Sequence, residues 1–236
     1  MPSLADLNIQ LYADGADFAQ MVGLAHHPLI KGFTTNPSLL YKSGVRDYEK
    51  FIREILTAIP DKPISFEVLA DDLREMERQA RKLASFGSNV YVKIPVMTTG
   101  GESTAPLLRR LTRANIAINV TAVMTCEQID MIQNAFWGDP HAIVSVFAGR
   151  ISDTGVDPEA IVCHATGTFF HHTHILWASP RQVRDVVTAD SCGCHIITVG
   201  MDIIQKLDLI GKDLTAYSRE TVQQFYEDGQ KAGLIL

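Results

Sequence analysis

Lys93 stands in Asn-Val-Tyr-Val-Lys-Ile-Pro (89–95), a β-branched run that otherwise reads as a buried strand. A long cationic side chain is almost never fully buried unless another group pairs with it or a reaction uses it. An unperturbed lysine has a pKa of ~10.4 and is mostly charged at pH 7. An apolar surround lowers that value, and a neutral amine is a nucleophile toward carbonyls. The position therefore suggests a Schiff-base lysine. The plain alternative is a lysine whose stem is buried and whose head snorkels to water.

Strand side chains alternate between faces, so parity extends the search. If Val90, Val92 and Ile94 face covering helices, then Asn89, Tyr91 and Lys93 face inward. The same test turns Ser65 and Glu67 inward against Ile64, Phe66 and Val68, and Asn119 and Thr121 inward against Ile118 and Val120. Asp14 opposes Leu11 and Ala13, and Ser145 shares a face with Phe147. Asp14, Glu67, Lys93, Thr121 and Ser145 then converge near the C-terminal ends of five strands. A buried polar group left unpaired costs roughly 1–3 kcal/mol, so five on one interior surface are hard to explain by packing. Glu67 is typed to shuttle protons during carbinolamine dehydration, through a water held by Thr121. Asp14 is typed to take a proton from a substrate hydroxyl and trigger carbon–carbon cleavage. A buried salt-bridge network is the competing account of the same charges.

Two arginines add a possible anion site. Phe-Ala-Gly-Arg (147–150) follows the sixth strand, and Ser-Pro-Arg (179–181) follows the seventh at an expected helix N-terminus. Arginine recognises phosphate bidentately, and helix N-termini favour anions. Either arginine taken singly reads more readily as an ordinary surface charge.

These residues need a scaffold that brings strand ends together. Short β-rich runs alternate with helical patterns roughly every 20–30 residues, the length of a βα unit. Strands are expected near 9–14, 30–34, 63–69, 89–95, 116–123, 142–147, 174–178 and 195–199. Tyr48, Phe51, Ile52, Ile55, Leu56 and Ile59 share one helical face, and Leu73, Met76, Leu83 and Phe86 another. Asp71 and Asp72 open the second of these helices. Eight such units in 236 residues match an α/β fold of the (β/α)8 TIM-barrel type, read as one domain over 1–236 with a helical extension at about 213–230. Leu214, Tyr217, Thr221 and Phe225 line one side of that extension, which either covers the barrel mouth or packs on a neighbouring subunit. A doubly wound open sheet fits less well, since neither G-x-G-x-x-G nor a Walker loop occurs.

Bulk properties narrow the partners. Net charge is −6 without a basic patch, which disfavours nucleic acid and anionic membrane. No apolar run approaches the ~20 residues of a membrane helix, and the N-terminus lacks signal-peptide character. Cys126, Cys163, Cys192 and Cys194 suit a reducing cytoplasm. Neither Cys-Gly-Cys-His (192–195) nor His-His-Thr-His (171–174) has structural zinc spacing, so no metal is expected.

The chain resembles the transaldolase family, specifically its short-chain branch, which includes fructose-6-phosphate aldolase. The matching stretches are Gly-Phe-Thr-Thr-Asn-Pro-Ser-Leu-Leu (32–40), Val-Tyr-Val-Lys-Ile-Pro (90–95), Ile-Asn-Val-Thr-Ala-Val (118–123) and Ser-Val-Phe-Ala-Gly-Arg-Ile (145–151). The resemblance implies a catalytic set of Lys93 (Schiff base), Asp14 (acid/base at the C4 hydroxyl), and Glu67 with Thr121 (catalytic water). It implies that Asn36, Asn119 and Ser145 bind the dihydroxyacetone hydroxyls, and that Arg150, Ser179 and Arg181 contact phosphate. The implied reaction transfers a dihydroxyacetone unit from fructose 6-phosphate or sedoheptulose 7-phosphate to an aldose phosphate, in the pentose phosphate pathway and without a cofactor. A homo-oligomer, pentamer or decamer, with the terminal helix exchanged between neighbours is implied as well.

Two positions separate the branches. Family aldolases that release free dihydroxyacetone resemble this chain but carry glutamine at the position of Glu67 and tyrosine at that of Phe147; both differences favour transfer here. A fructose-6-phosphate aldolase-like lyase, a transaldolase acting on a modified sugar, and a non-catalytic barrel are the other readings. Departures from the family pattern are Arg-Ile-Ser-Asp (150–153), Ser-Pro-Arg (179–181) and the unusual segment 157–174, with its cysteine, histidines and paired phenylalanines.

Overall fold

The computed structural model describes residues 3–169 and 171–233, so the second of the paired phenylalanines, Phe170, lies outside the described residues. Eight parallel strands close into a barrel in sequence order. They are β1 Gln10–Asp14, β2 Ile30–Thr34, β3 Ile64–Glu67, β4 Val90–Pro95, β5 Ile118–Val123, β6 Ala142–Val146, β7 Thr173–Trp177 and β8 Ile196–Val199. The helices are α1 Phe18–Ala25, α2 Pro37–Lys42, α3 Tyr48–Ala58, α4 Leu73–Ala84, α5 Ala105–Arg113, α6 Cys126–Ala135, α7 Ala148–Ser152, α8 Glu159–Thr168, α9 Arg184–Ser191, α10 Met201–Ile204 and α11 Leu214–Lys231. The architecture is the expected (β/α)8 barrel with a terminal helix. No described helix is long and apolar enough to cross a membrane.

The helices form where the sequence combines an apolar stripe with a capping residue. In α3, Phe51, Ile52 and Ile55 are buried and the Asp47 carboxylate accepts the Lys50 N–H. In α4, Met76, Ala80 and Leu83 are buried and Asp72 caps the N–H groups of Arg74 and Glu75. Such caps contribute about 0.5–2 kcal/mol each. Asp71 does not cap α4; it accepts from Thr99 in the loop after β4.

Two apolar regions divide the interior. The larger lies between barrel and helices and takes the outward residues of each strand, such as Leu11 and Ala13, Ile64 and Phe66, and Val90, Val92 and Ile94. The smaller fills the lumen: Tyr12, Ile143, Leu176, Ala178 and Ile196, joined by Tyr91 and Phe147. Gly32 makes this floor possible, since a Cβ there would lie 2.6 Å from the Tyr12 ring.

Parity holds for Tyr91 and Lys93, but Asn89 departs from it. Its amide donates to the carbonyls of Ile59 and Lys62 at 3.1 and 2.9 Å, tying down the chain that enters β3. Asn89 precedes the first residue of β4, where strand alternation has not begun. The terminal helix also differs from one expectation. No residue of α11 is buried, and Leu214, Tyr217 and Phe225 are exposed, so it does not cover the barrel mouth.

Candidate active site

Register assembles the site. Glu67 on β3 pairs with Lys93 on β4, and Lys93 pairs with Asn119 on β5, so three inward side chains stand at one level. Lys93 is 6% exposed. Its Nζ lies 3.3 Å from Glu67 Oε2 and donates to the Thr35 carbonyl at 3.1 Å. Glu67 is held in turn by Tyr48 at the start of α3, whose hydroxyl donates to the Glu67 carbonyl at 3.1 Å.

On the opposite flank, Asp14 ends β1 beside its register partner Thr34, whose hydroxyl donates to Asp14 Oδ1 at 2.7 Å. Burial pushes the Asp14 carboxyl above its ordinary value, against the Lys93 charge and the Thr34 hydrogen bond. Burial likewise raises Glu67, with Lys93 opposing. In both, burial is the larger influence and the Lys93 charge opposes it.

A second polar chain crosses β3, β5 and β6. Ser145 Oγ donates to Asn119 Oδ1 at 2.7 Å, and Asn119 Nδ2 donates to Ser65 Oγ at 3.0 Å. These three are almost fully buried, and the chain fixes the orientation of the Asn119 amide. Thr121 differs: its hydroxyl is buried with no hydrogen-bond partner among the described residues. It borders an irregularity in which Ala122 takes φ 62° and the register with β6 shifts. Bulges next to active sites re-aim side chains, and a non-glycine residue in this region stores strain. Nothing in Val-Thr-Ala-Val marks the bulge in the sequence.

Asn36 sits just beyond β2 as the N-cap of α2, accepting the Leu39 N–H at 3.0 Å, which leaves its amide NH₂ for other partners. Phe147 follows β6 and joins the lumen cluster, with the Arg150 guanidinium 5.6 Å from its ring centroid.

The rim is built by a close backbone approach. A Cβ on Gly149 would lie 1.6 Å from the Ser179 carbonyl oxygen, so the first turn of α7 and the loop after β7 meet only because residue 149 is glycine. Ser179 itself adopts φ 62°. Arg150 and Arg181 are both exposed here, and Arg181 forms a two-point ion pair with Asp153. The expected helix N-terminus at Ser179–Arg181 is not present. Helix α9 begins at Arg184, and the N–H groups of Arg181 and Gln182 are taken by Asp185 Oδ2 at 2.6 and 3.3 Å. Ser179 and Arg181 therefore stand on a loop whose Arg181 and Gln182 N–H groups are already taken by Asp185.

The structure thus gathers Lys93, Glu67, Asp14, Thr121, Asn119 and Ser145 in the lumen and sets Arg150, Ser179 and Arg181 on its rim. Sequence reasoning passed over Thr34, Thr198 and Tyr12 as lumen groups. Parity could have found them, since Thr34 alternates with Phe33 and Thr198 with Ile197. The histidine and cysteine clusters lie elsewhere. His174 and His195 stack 5.2 Å apart by the N-terminal ends of β7 and β8, with His195 Nδ1 accepting the Ile175 N–H. The Cys194 thiol donates to the Ile175 carbonyl at 3.2 Å.

Comparison with known proteins identifies the family. The family model described as Transaldolase/Fructose-6-phosphate aldolase matches residues 11–234. A "Probable transaldolase" of Thermoanaerobacter sp. (strain X514) is 35% identical over 209 residues, covering 87% of this chain and 90% of that protein. A "Probable transaldolase" of Hyphomonas neptunium (strain ATCC 15444) is 33% identical over 229 residues, covering 96% and 99%. A solved structure described as "Native KDPGal structure" superposes with a TM-score of 0.57 at 14% identity, over 90% of this chain and 95% of that one, a likeness of fold alone. With a match running through nearly all of the barrel, the chain belongs to the transaldolase/fructose-6-phosphate aldolase family, as an enzyme of aldolase/transaldolase type.

Proposed function

We propose that this enzyme is a transaldolase that carries a dihydroxyacetone unit on Lys93 between phosphosugars. Lys93 Nζ attacks the C2 carbonyl of a ketose phosphate such as fructose 6-phosphate. Glu67, 3.3 Å from that nitrogen, removes and returns protons as the carbinolamine loses water to give an iminium. Thr121 holds the water through which Glu67 acts; its buried, unpaired hydroxyl supports that role. Asp14 takes the proton of the C4 hydroxyl, the C3–C4 bond breaks, and the electron pair moves to the iminium nitrogen. An aldose phosphate leaves and an enamine remains on Lys93. Addition of the enamine to the acceptor aldehyde reverses these steps, and hydrolysis of the new iminium frees the product.

Asn36, Asn119 and Ser145 bind the hydroxyls of the three-carbon unit. Arg150, Ser179 and Arg181 take the phosphate, which leaves the reacting carbons deep in the lumen. The donor is fructose 6-phosphate or sedoheptulose 7-phosphate, which places the reaction in the pentose phosphate pathway of the cytoplasm. The assembled form is a pentamer or decamer, supported by the exposed apolar side of α11.

One observation carries the reading: a lysine 6% exposed, its amine 3.3 Å from the Glu67 carboxyl, in a lumen where burial raises both Glu67 and Asp14. Phe147 separates transfer from lyase activity, because it offers the enamine no hydroxyl proton. The test is to supply fructose 6-phosphate with and without erythrose 4-phosphate. Sedoheptulose 7-phosphate that forms only with acceptor supports transfer. Sustained release of free dihydroxyacetone without acceptor replaces it with an aldolase.

A further inference from the structure

Thr198 has no part in the reaction above, yet it completes a chain of hydroxyls that ends on Asp14. Its Oγ1 lies 2.5 Å from Thr34 Oγ1, which lies 2.7 Å from Asp14 Oδ1. Strands β8 and β2 flank β1 in the barrel, so Thr198 and Thr34 meet across the lumen face of the strand that carries Asp14. Both threonines are buried.

Proton counting gives this chain a direction. A hydroxyl has one proton to donate. An ionised Asp14 can only accept, so the Thr34 proton is committed to Oδ1. The Thr34 oxygen must then accept from Thr198. Neither hydroxyl has another hydrogen-bond partner among the described residues. Should Oδ1 take a proton and donate to Thr34, the Thr34 proton would turn to Thr198, and the Thr198 proton would be stranded in a buried site. The Thr34–Oδ1 bond therefore opposes protonation at Oδ1, Thr198 strengthens that bond by donating to the Thr34 oxygen, and Oδ2 is left as the oxygen open to a substrate proton.

We infer that Thr198 is a positioning residue: through Thr34 it fixes Asp14 as an acceptor at Oδ1 and reserves the other oxygen for proton transfer with the sugar hydroxyl. The inference rests on the reading of Asp14 as the acid/base. Burial works against it by favouring the neutral carboxyl, and the Lys93 charge works with it. The other titratable groups facing Asp14 are Glu67 on β3, Tyr91 on β4 and Tyr12 on its own strand. Burial pushes both phenols further up, so they stay neutral while Asp14 titrates.

The experiment compares Thr198→Val, which keeps the shape without the hydroxyl, with Thr198→Ser, which keeps the hydroxyl. Asp14 is titrated in the resting protein by carbon-13 NMR of labelled aspartate, its signal assigned by its loss in Asp14→Asn. kcat and KM for transfer are followed against pH. In Thr198→Val the Thr34–Asp14 bond survives but loses the donor that polarises it, so the Asp14 titration moves up by a few tenths of a unit, the scale of cooperative strengthening along a hydrogen-bond chain. The acid limb of kcat moves with it, KM changes less than kcat, and Thr198→Ser restores both. An Asp14 titration identical in the parent and Thr198→Val overturns the inference. If Thr198→Val does not fold, Thr198→Cys, a weak donor of similar volume, takes its place and gives an intermediate shift; no shift there is equally contrary. Because the titration needs no substrate, it decides the role of Thr198 separately. A parent protein that titrates as described but transfers nothing sinks the transaldolase reading instead.

Discussion

Lys93 in the lumen and Arg181 on the rim are both basic side chains set against an acidic one, and their surroundings separate them. The Lys93 and Glu67 side chains are 7% and 15% exposed; those of Arg181 and Asp153 are 47% and 54%. Water and salt screen the rim pair, which contributes about 0–1 kcal/mol like other surface pairs. The lumen pair has little water to compensate it, and removing one partner of such a buried pair costs roughly 3–5 kcal/mol. The rim pair is therefore the more cheaply exchanged of the two.

Breaking the buried side of this comparison has the largest effect. Asp14→Asn should lower kcat by roughly 10²–10⁴-fold, the usual size of a general acid–base contribution. It should also raise thermal stability at neutral pH. Burial lifts the Asp14 pKa above 3.8 in the folded protein, so the folded state holds that proton to higher pH than the unfolded chain does. Stability from this group is present below 3.8 and is lost as pH rises through its folded value. Melting curves between pH 4 and 8 should show the variant gaining on the parent as pH increases; a uniform loss would contradict the sign.

Breaking the exposed side costs binding alone. Arg181→Ala should raise KM for the phosphorylated donor about 10-fold, near the low end for a charge-assisted hydrogen bond because the site is exposed. It should leave kcat and thermal stability nearly unchanged. A collapse of kcat would place Arg181 in the chemistry and erase the distinction between rim and lumen. The smallest effect sharpens the boundary between the two regions. Phe147→Tyr should raise the ratio of free dihydroxyacetone to transferred product a few-fold by offering the enamine a proton, on the order of 1 kcal/mol in the partition. Product ratios by chromatography check this, and an unchanged ratio removes Phe147 from the control of outcome.

The same division governs what is legible in the sequence. Lumen residues obey strand alternation, so Lys93, Glu67, Asp14, Asn119, Thr121 and Ser145 were legible from the apolar residues between them. Thr34 and Thr198 obey the same rule and were available to it. Rim residues follow no period. The dependence of the Arg181 loop on Gly149, its hold by Asp185 and the partnership with Asp153 are long-range or loop contacts that local spacing does not encode. The left-handed Ala122 and Ser179 were illegible for a different reason: those residue types ordinarily avoid that conformation, and tertiary packing imposes it. Asn89 marks where the alternation rule stops, one residue before the strand begins.

The central claim is that Lys93 carries the three-carbon unit covalently. Borohydride reduction in the presence of fructose 6-phosphate, followed by peptide mass spectrometry, tests it most directly. The account predicts a reduced three-carbon adduct on Lys93, absent from Lys93→Met. An adduct on a different lysine, or none at all while turnover continues, would contradict it.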